Sequence, residues 1–377
     1  MKRKLLAMLL VAAMVLSLTG CLFGGGNDEG VVINLYTGGS DNVRLTWEAV
    51  LEAFHEYQSD ITVNMHFIPG DMGNVVDTFI ASVHAGVETV DMNILDHGEQ
   101  DLMRILDAAG PGSLVPINAS NVPNLAHVTG HLTFGDGVAV GYRGTTVVLA
   151  YNSDRVPNPP QTKRELHDWI RANPGRFAYN DPTTGGSGDS FVVTTIYNEM
   201  PPEASQSTDP AWKNHWDAGF QVLTDLHPYM YQASGRVLYP ARNQGTLDLL
   251  AAGEVDIIPA WADMAMQQIS HGTLPPSTRI YQPYPPLSGN LQILTIPANT
   301  INHEASLAFL NFVVSPRAQE LFVTEMHAIP VIPNEMLPQS ALDLLGGFQF
   351  AEYRVISIGG LVPYLRERWL MEIATLP

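Results

Sequence analysis

Residues 141–182 constrain this chain most. A β-branched run, Thr145-Thr146-Val147-Val148-Leu149-Ala150, passes directly into Tyr151-Asn152-Ser153-Asp154 and then into a loop stiffened by Pro157, Pro159 and Pro160. A helix opens next at Thr162, and Glu165 three residues on completes the signature of a capping box. A strand that feeds straight into a new helical layer is what a chain needs where it leaves one lobe and starts another. Length permits two lobes: the chain has 377 residues, and single cores stop growing near ~250–300.

Upstream, the pattern is β-α-β-α-β. A short apolar strand over 31–36 leads through Thr37, Gly38, Ser40 and Asp41 into a helix over 42–57, with Leu45, Val50, Leu51 and Phe54 as its apolar members. Strands follow over 61–68 and 89–95 with a helix over 72–85 between them, and a further helix covers 100–108. This order predicts an α/β lobe with a parallel sheet covered on both faces and ligands at the carboxyl ends of strands. The exits at Thr37–Asp41 and at Asp96 and His97 are therefore the first candidate site. Strands over 134–142 and 145–151 cross to the second lobe. There we expect helices over 163–173, 190–199, 212–226 and 246–252, and short strands over 177–179 and 254–258. A glycine-rich loop spans 181–190. A strand over 291–297 and helices over 304–314, near 342 and over 362–373 complete the chain.

Charge is unbalanced, with 38 acidic against 19 basic residues, which excludes a nucleic-acid partner requiring a basic surface. The basic residues Lys2, Arg3 and Lys4 precede an apolar run over 5–16 too short for a membrane span, followed by Leu18-Thr19-Gly20-Cys21. Cys21 is the only cysteine, so disulfides and thiolate metal sites are ruled out. Residues 22–30, rich in glycine, read as a flexible tether.

Catalytic signatures are missing. Ser187 lies in Gly185-Gly186-Ser187-Gly188, but Asp189 breaks G-x-S-x-G, and the loop lacks the G-K-[ST] of a P-loop. His127 and His131 are four apart without the H-E-x-x-H pattern, so no metal is expected. What remains is polar and aromatic residues at loop positions. Thr37, Gly38, Ser40 and Asp41 begin a helix and read equally as ligand contacts or as an ordinary cap. Asp181, Ser187, Asp189 and Ser190 offer the same arrangement in the second lobe, or a surface turn. Asn243 opens another helix, and Arg143 and Thr145 lie at the crossing. Trp261 is a stacking surface for a solute or a core residue at the hinge. Asp96, Asp189 and Asp263 supply negative charge for a cation, while helix N-termini favour anions.

The run "YNSDRVPNPPQTKRELHDW" resembles the first inter-lobe crossing of the periplasmic solute-binding proteins of ABC importers. "GEVDIIPAWADMA" is similar to their return strand, and "ASLAFLNFVVSPRAQELF" to their third crossing. The resemblance covers nearly the whole mature chain and implies the periplasmic-binding-protein-like II fold, two α/β lobes joined by a hinge. It implies lobe one over 31–144 and 262–313, and lobe two over 145–261 and 314–377. Leu18–Cys21 resembles a bacterial lipobox, which implies a signal peptide over 1–20, a tether over 21–30 and a lipid on Cys21 anchoring the protein outside the cytoplasm at the membrane. Loss of Lys2, Arg3 and Lys4 would take the net charge from −19 to −22. The loop over 181–190 resembles that of thiamine, iron and sulphate-type binders, and Trp261 matches by position an aromatic residue that sugar-binding relatives stack on their ligand. The implied function is capture of a small polar solute, a cationic organic one by the local acids, for a permease and its ATPase, by a monomer with no cofactor and no catalysis. An oxyanion, zwitterion or sugar ligand, and a non-transport sensor or adhesion role, are the alternatives. An anchored hydrolase ranks last, for want of catalytic residues.

Overall fold

A single strand carries the chain from one core to the next. The computed structural model describes residues 30–377 other than 71, 130–134, 136 and 346–353, so Cys21, the leader and nearly all of the tether lie outside the described residues. The first part contains β1 (Val31–Gly39), α1 (Asp41–Tyr57), β2 (Ile61–Pro69), α2 (Gly73–His84), β3 (Ile94–Gly98) and α3 (Glu99–Ala109). Then β4 (Ala139–Asn152) crosses over, buried along twelve of its fourteen residues. Beyond it come α4 (Lys163–Ala172), α5 (Gly186–Tyr197), α6 (Asp217–Leu226), β5 (Gln232–Ala233), β6 (Arg236–Val237), α7 (Arg242–Ala251), β7 (Ile257–Trp261), α8 (Ala262–Ser270) and β8 (Thr278–Tyr281). The return runs through β9 (Ser288–Thr295) to α9 (His303–Val313), α10 (Pro316–Met326) and α11 (Gln339–Leu344), and the chain closes with β10 (Arg354–Val355) and α12 (Val362–Glu372).

One sheet threads the molecule in the order β2-β1-β3-β9-β4-β7, with β10 on β9 and β8 on β4. The β1–β2 and β1–β3 pairs are parallel as the β-α-β pattern requires, but β9 runs antiparallel to both β3 and β4. The sheet is therefore mixed, because the returning strand inserts between elements of the first lobe. The two strands expected over 134–142 and 145–151 are one, bent by a bulge between Gly141 and Arg143.

Packing divides into a first core and a second. The first gathers Ile33 to Tyr142 and Leu291 to Leu345, around Trp47, Phe54, Phe309 and Phe322. The second gathers Val147 to Leu287 and Ile356 to Ile373, with Phe177, Phe191, Trp216 and Trp369, and Met264, Ala265 and Leu274 pack in a satellite of it. The boundaries expected at 261/262 and 313/314 fall inside these cores. β7 pairs antiparallel with β4 on the second-lobe side, so it flanks the crossing rather than making it. The chain changes core instead at 143–146, at 288–290 and between 345 and 356. Among the described residues no helix is long and apolar enough to cross a membrane.

Local corrections have local causes. The first helix buries Val50 and Phe54 as expected, but the stripe continues back through Trp47 and Val43 at i, i+4, i+7 and i+11, which leaves Leu45 on the other face, 51% exposed. Thr162 caps α4 in a full capping box with Glu165. The third strand lies over Ile94–Gly98 rather than 89–95, which moves Asp96 and His97 from a loop into the sheet.

Candidate functional site

The carboxyl ends of β1 and β3, the bulge of β4 and the exit of β7 meet where the two cores adjoin. Thr37, at the end of β1, is fully buried and donates from Oγ1 to Asp96 Oδ2 at 2.6 Å. The same oxygen accepts from Trp47 Nε1 at 3.1 Å and from the Tyr142 hydroxyl at 2.9 Å. Three donors thus crowd Oδ2, while Asp96 Oδ1 is buried without a partner among the described residues. Burial pushes this carboxyl above its ordinary range, opposed by the charge of Arg143 and by those three hydrogen bonds.

Tyr142 is the extra residue of the β4 bulge, and the bulge turns its ring into the first core against Trp47, with ring centroids 5.1 Å apart. Arg143 follows at once and is 5% exposed. Its Nε donates to the Tyr142 hydroxyl at 3.1 Å, and no hydrogen bond engages its terminal nitrogens among the described residues. Burial works against its charge, but Tyr142, Asp96 and Asp263 outweigh it and raise its pKa. Asp263 opens α8 beyond the exit of β7. It accepts from Thr145 Oγ1 at 3.4 Å and, across the junction, from Asn42 Nδ2 at 3.4 Å. Burial raises its carboxyl as well, against the charge of Arg143 and the backbone N–H groups at the helix start. Asn42 Oδ1 is buried and unpartnered among the described residues. Each orphaned polar atom of this kind costs ~1–3 kcal/mol.

Ser40 stands at the N-cap position of α1 but makes no side-chain cap; its hydroxyl approaches Met264 Sδ at 4.0 Å across the junction. Space there is small. A cavity of about 10 Å³ lies against Thr145, Asp263, Met266 and His327, room for about one water. Nothing larger than a water fits there while the cores stay in contact.

The other expected residues sit elsewhere. Asp41 is on the surface beside Arg44. Gly38 packs where a side chain would meet the carbonyl oxygens of Gly70 and Ile68 at 3.0 and 3.1 Å. His97 bonds Gly98 O and Thr295 Oγ1 within the sheet. In the second lobe the glycine loop already begins α5 at Gly186, and its polar side chains are committed to protein partners. The Ser187 hydroxyl meets Asn180 Oδ1 at 2.7 Å and Asn243 Oδ1 at 3.1 Å, and Asp181 closes a turn on Thr183. Asp189 is held by both arms of Arg366 at 2.9 Å each, and Ser190 bonds Ser288. Trp261 lies over Gly186, close enough that a β-carbon there would come within 2.7 Å of its ring.

The structure thus brings together Thr37, Asp96, Arg143, Thr145 and Asp263, and adds Asn42, Trp47 and Tyr142, which sequence reasoning missed. Asn42 was within reach, since it is next to the flagged Asp41 at a helix start. Tyr142 carries no signal without the bulge. Among the described residues no group of three or more His, Cys, Asp or Glu is placed to hold a metal.

The model of the bacterial extracellular solute-binding protein family matches residues 49–341. Protein YnjB of Escherichia coli K12 is 28% identical over 221 residues, which is 53% of this chain and 54% of that protein, so the chain spans about half the length of the curated relative it matches. Among solved structures, one from Bordetella parapertussis assigned as an extracellular solute-binding protein superposes with a TM-score of 0.70 at 15% identity, over 91% of this chain and 98% of that one. Another, from Listeria monocytogenes and assigned as a spermidine/putrescine ABC transporter, gives 0.64 at 13% identity, over 91% and 99%. At such identities the likeness is one of fold.

Proposed function

This chain belongs to the bacterial extracellular solute-binding protein family, and from that premise we propose that it is the capturing component of an ABC importer, a clamp closing on a small organic cation. Its lobes are the two cores: 31–142 with 291–345, and 147–287 with 354–377, hinged where β4 and β9 run side by side. It acts as a monomer, anchored outside the cytoplasm by lipid on Cys21, and its closed form is recognised by a permease that an ATPase drives. Contacts made with both lobes at once are what favour closure, so the solute sits where both contribute.

One observation carries the cation. At the junction two buried carboxylates, Asp96 from the first core and Asp263 beside the second, face a single buried cation, Arg143. Burial raises the pKa of both acids, and a cationic solute beside them offsets the cost of ionising both. The spermidine/putrescine assignment of one structural neighbour is in keeping. Calorimetry against alkylamines, sulphate and simple sugars tests this. Amines should bind best, and Asp263→Asn should weaken them about tenfold, ~1.4 kcal/mol. Sulphate or a sugar binding more tightly than every amine would overturn the reading. A second reading, an oxyanion, is favoured by the unengaged terminal nitrogens of Arg143.

We propose no turnover, since the Ser187 hydroxyl is occupied by two asparagines. Esters, phosphoesters and glycosides supplied to pure protein should yield nothing above a Ser187→Ala control. Saturable activity lost in that variant would restore the hydrolase. Cys21→Ser should release the protein from the membrane fraction while leaving its thermal unfolding unchanged; full retention would refute the anchor.

A further inference from the structure

We propose that the solute is amphoteric: an amine whose N–H groups fill the bare acceptors Asp96 Oδ1 and Asn42 Oδ1, and whose anionic group meets the terminal nitrogens of Arg143. This rests on the junction being the solute site and narrows what that site takes.

The argument is a count of unmet hydrogen-bonding capacity. Asp96 is 2% exposed and receives three donors, all on Oδ2, so Oδ1 is bare. Asn42 is 6% exposed and commits Nδ2 to Asp263, which leaves its own Oδ1 bare. Both acceptors can be filled only by a group with hydrogen to give. Arg143 has the opposite need. A guanidinium carries five N–H donors, only the one on Nε is engaged among the described residues, and a carboxylate matches the free pair bidentately. The hydroxyl of Tyr142 links the two needs, donating to Asp96 and accepting from Arg143, so they stand on one wall of the junction.

Simpler solutes meet half of this. A diamine fills the acceptors but brings its second charge against Arg143. An oxyanion satisfies Arg143 but leaves both oxygens bare and lies near Asp96. A quaternary ammonium has no hydrogen to donate. A polyol meets the hydrogen bonds but brings no charge to the buried carboxylates. An ammonium and an acid on one short chain meet all of it. The contacts of Asp263 with Asn42 and Thr145, both at 3.4 Å, are long enough to be exchanged for an ammonium when the lobes close on it.

Calorimetry of the full chain with glycine, β-alanine, γ-aminobutyrate and 6-aminohexanoate finds the length that fits. Its two halves, the amine and the acid alone, are then measured beside putrescine, glucose, sulphate and the N-trimethylated amino acid. We expect one member of the series to bind at least tenfold tighter than either half, and trimethylation to abolish the gain. Arg143→Gln should cost the amino acid tenfold or more without weakening the bare amine, which loses a repelling charge, with thermal unfolding reporting whether the variant folds. If it does not fold, the wild-type series decides. Putrescine binding best overturns the amphoteric solute and leaves the cation reading standing. Sulphate, the bare acid or glucose binding best, indifferent to Asp263→Asn, overturns both.

Discussion

A β-carbon on Gly188 would lie 1.9 Å from the carbonyl oxygen of Asn180, a distance no side chain can hold, and the obstacle is backbone rather than a movable group. Gly188→Ala should therefore cost ~3 kcal/mol or more by urea unfolding. A wild-type midpoint in that variant would mean that the loop before α5 shifts freely. His167 supplies a different kind of test. Burial, with the charges of Arg171 and Lys163, holds its imidazole down at about 4, against an ordinary ~6.5 in the unfolded chain. Between those values the unfolded state binds a proton that the folded state refuses. The neutral ring's stability is thus complete above pH ~6.5 and lost as pH falls toward 4. Urea midpoints at pH 7, 5.5 and 4.5 should fall less steeply in His167→Gln than in the wild type, and equal slopes would show that the ring is solvated.

Among elements, α4 was legible in the sequence down to its first turn. Thr162 and Glu165 cap each other as their spacing requires, and Thr162→Ala should cost ~1 kcal/mol. The start of α5 was not legible in the same way. Ser187, Asp189 and Ser190 read as loop residues facing a cleft, yet the structure commits them to Asn180, Arg366 and Ser288. Arg366 and Ser288 lie 177 and 98 residues away from their partners, a distance over which spacing carries no information. Asp189→Ala should lower stability by ~1–3 kcal/mol, the cost of leaving a partly buried guanidinium half-paired; an unchanged unfolding midpoint would show that the pair is only a solvated contact. β3 shows the converse. Its expected range ended one residue short of Asp96, and pairing with β9 drew Asp96 and His97 into the sheet and out of water.

For the molecule as a whole, the proposed closure is the property to test. Asn42 of α1 and Ser40 at its N-cap position reach Asp263 and Met264 of α8, while β4 and β9 run continuously through both lobes. Bound solute should therefore lower the radius of gyration measured by X-ray scattering. In Asp263→Ala the compaction should require a higher solute concentration. No change on saturation would mean that the clamp does not move.

The β-α-β-α-β order and the capping box are set by local propensity and hydrophobic period, so they are written in the sequence itself, and the two-lobe architecture was legible there through its family resemblance. The mixed sheet, the change of core at 288–290 and beyond 345, and the gathering of Asp96, Tyr142, Arg143, Asn42 and Asp263 at one junction are not. They depend on a strand almost two hundred residues downstream inserting between β3 and β4, and on a bulge that turns two adjacent side chains. Which polar atoms are satisfied is a sum over such distant partners, and only the folded chain performs it.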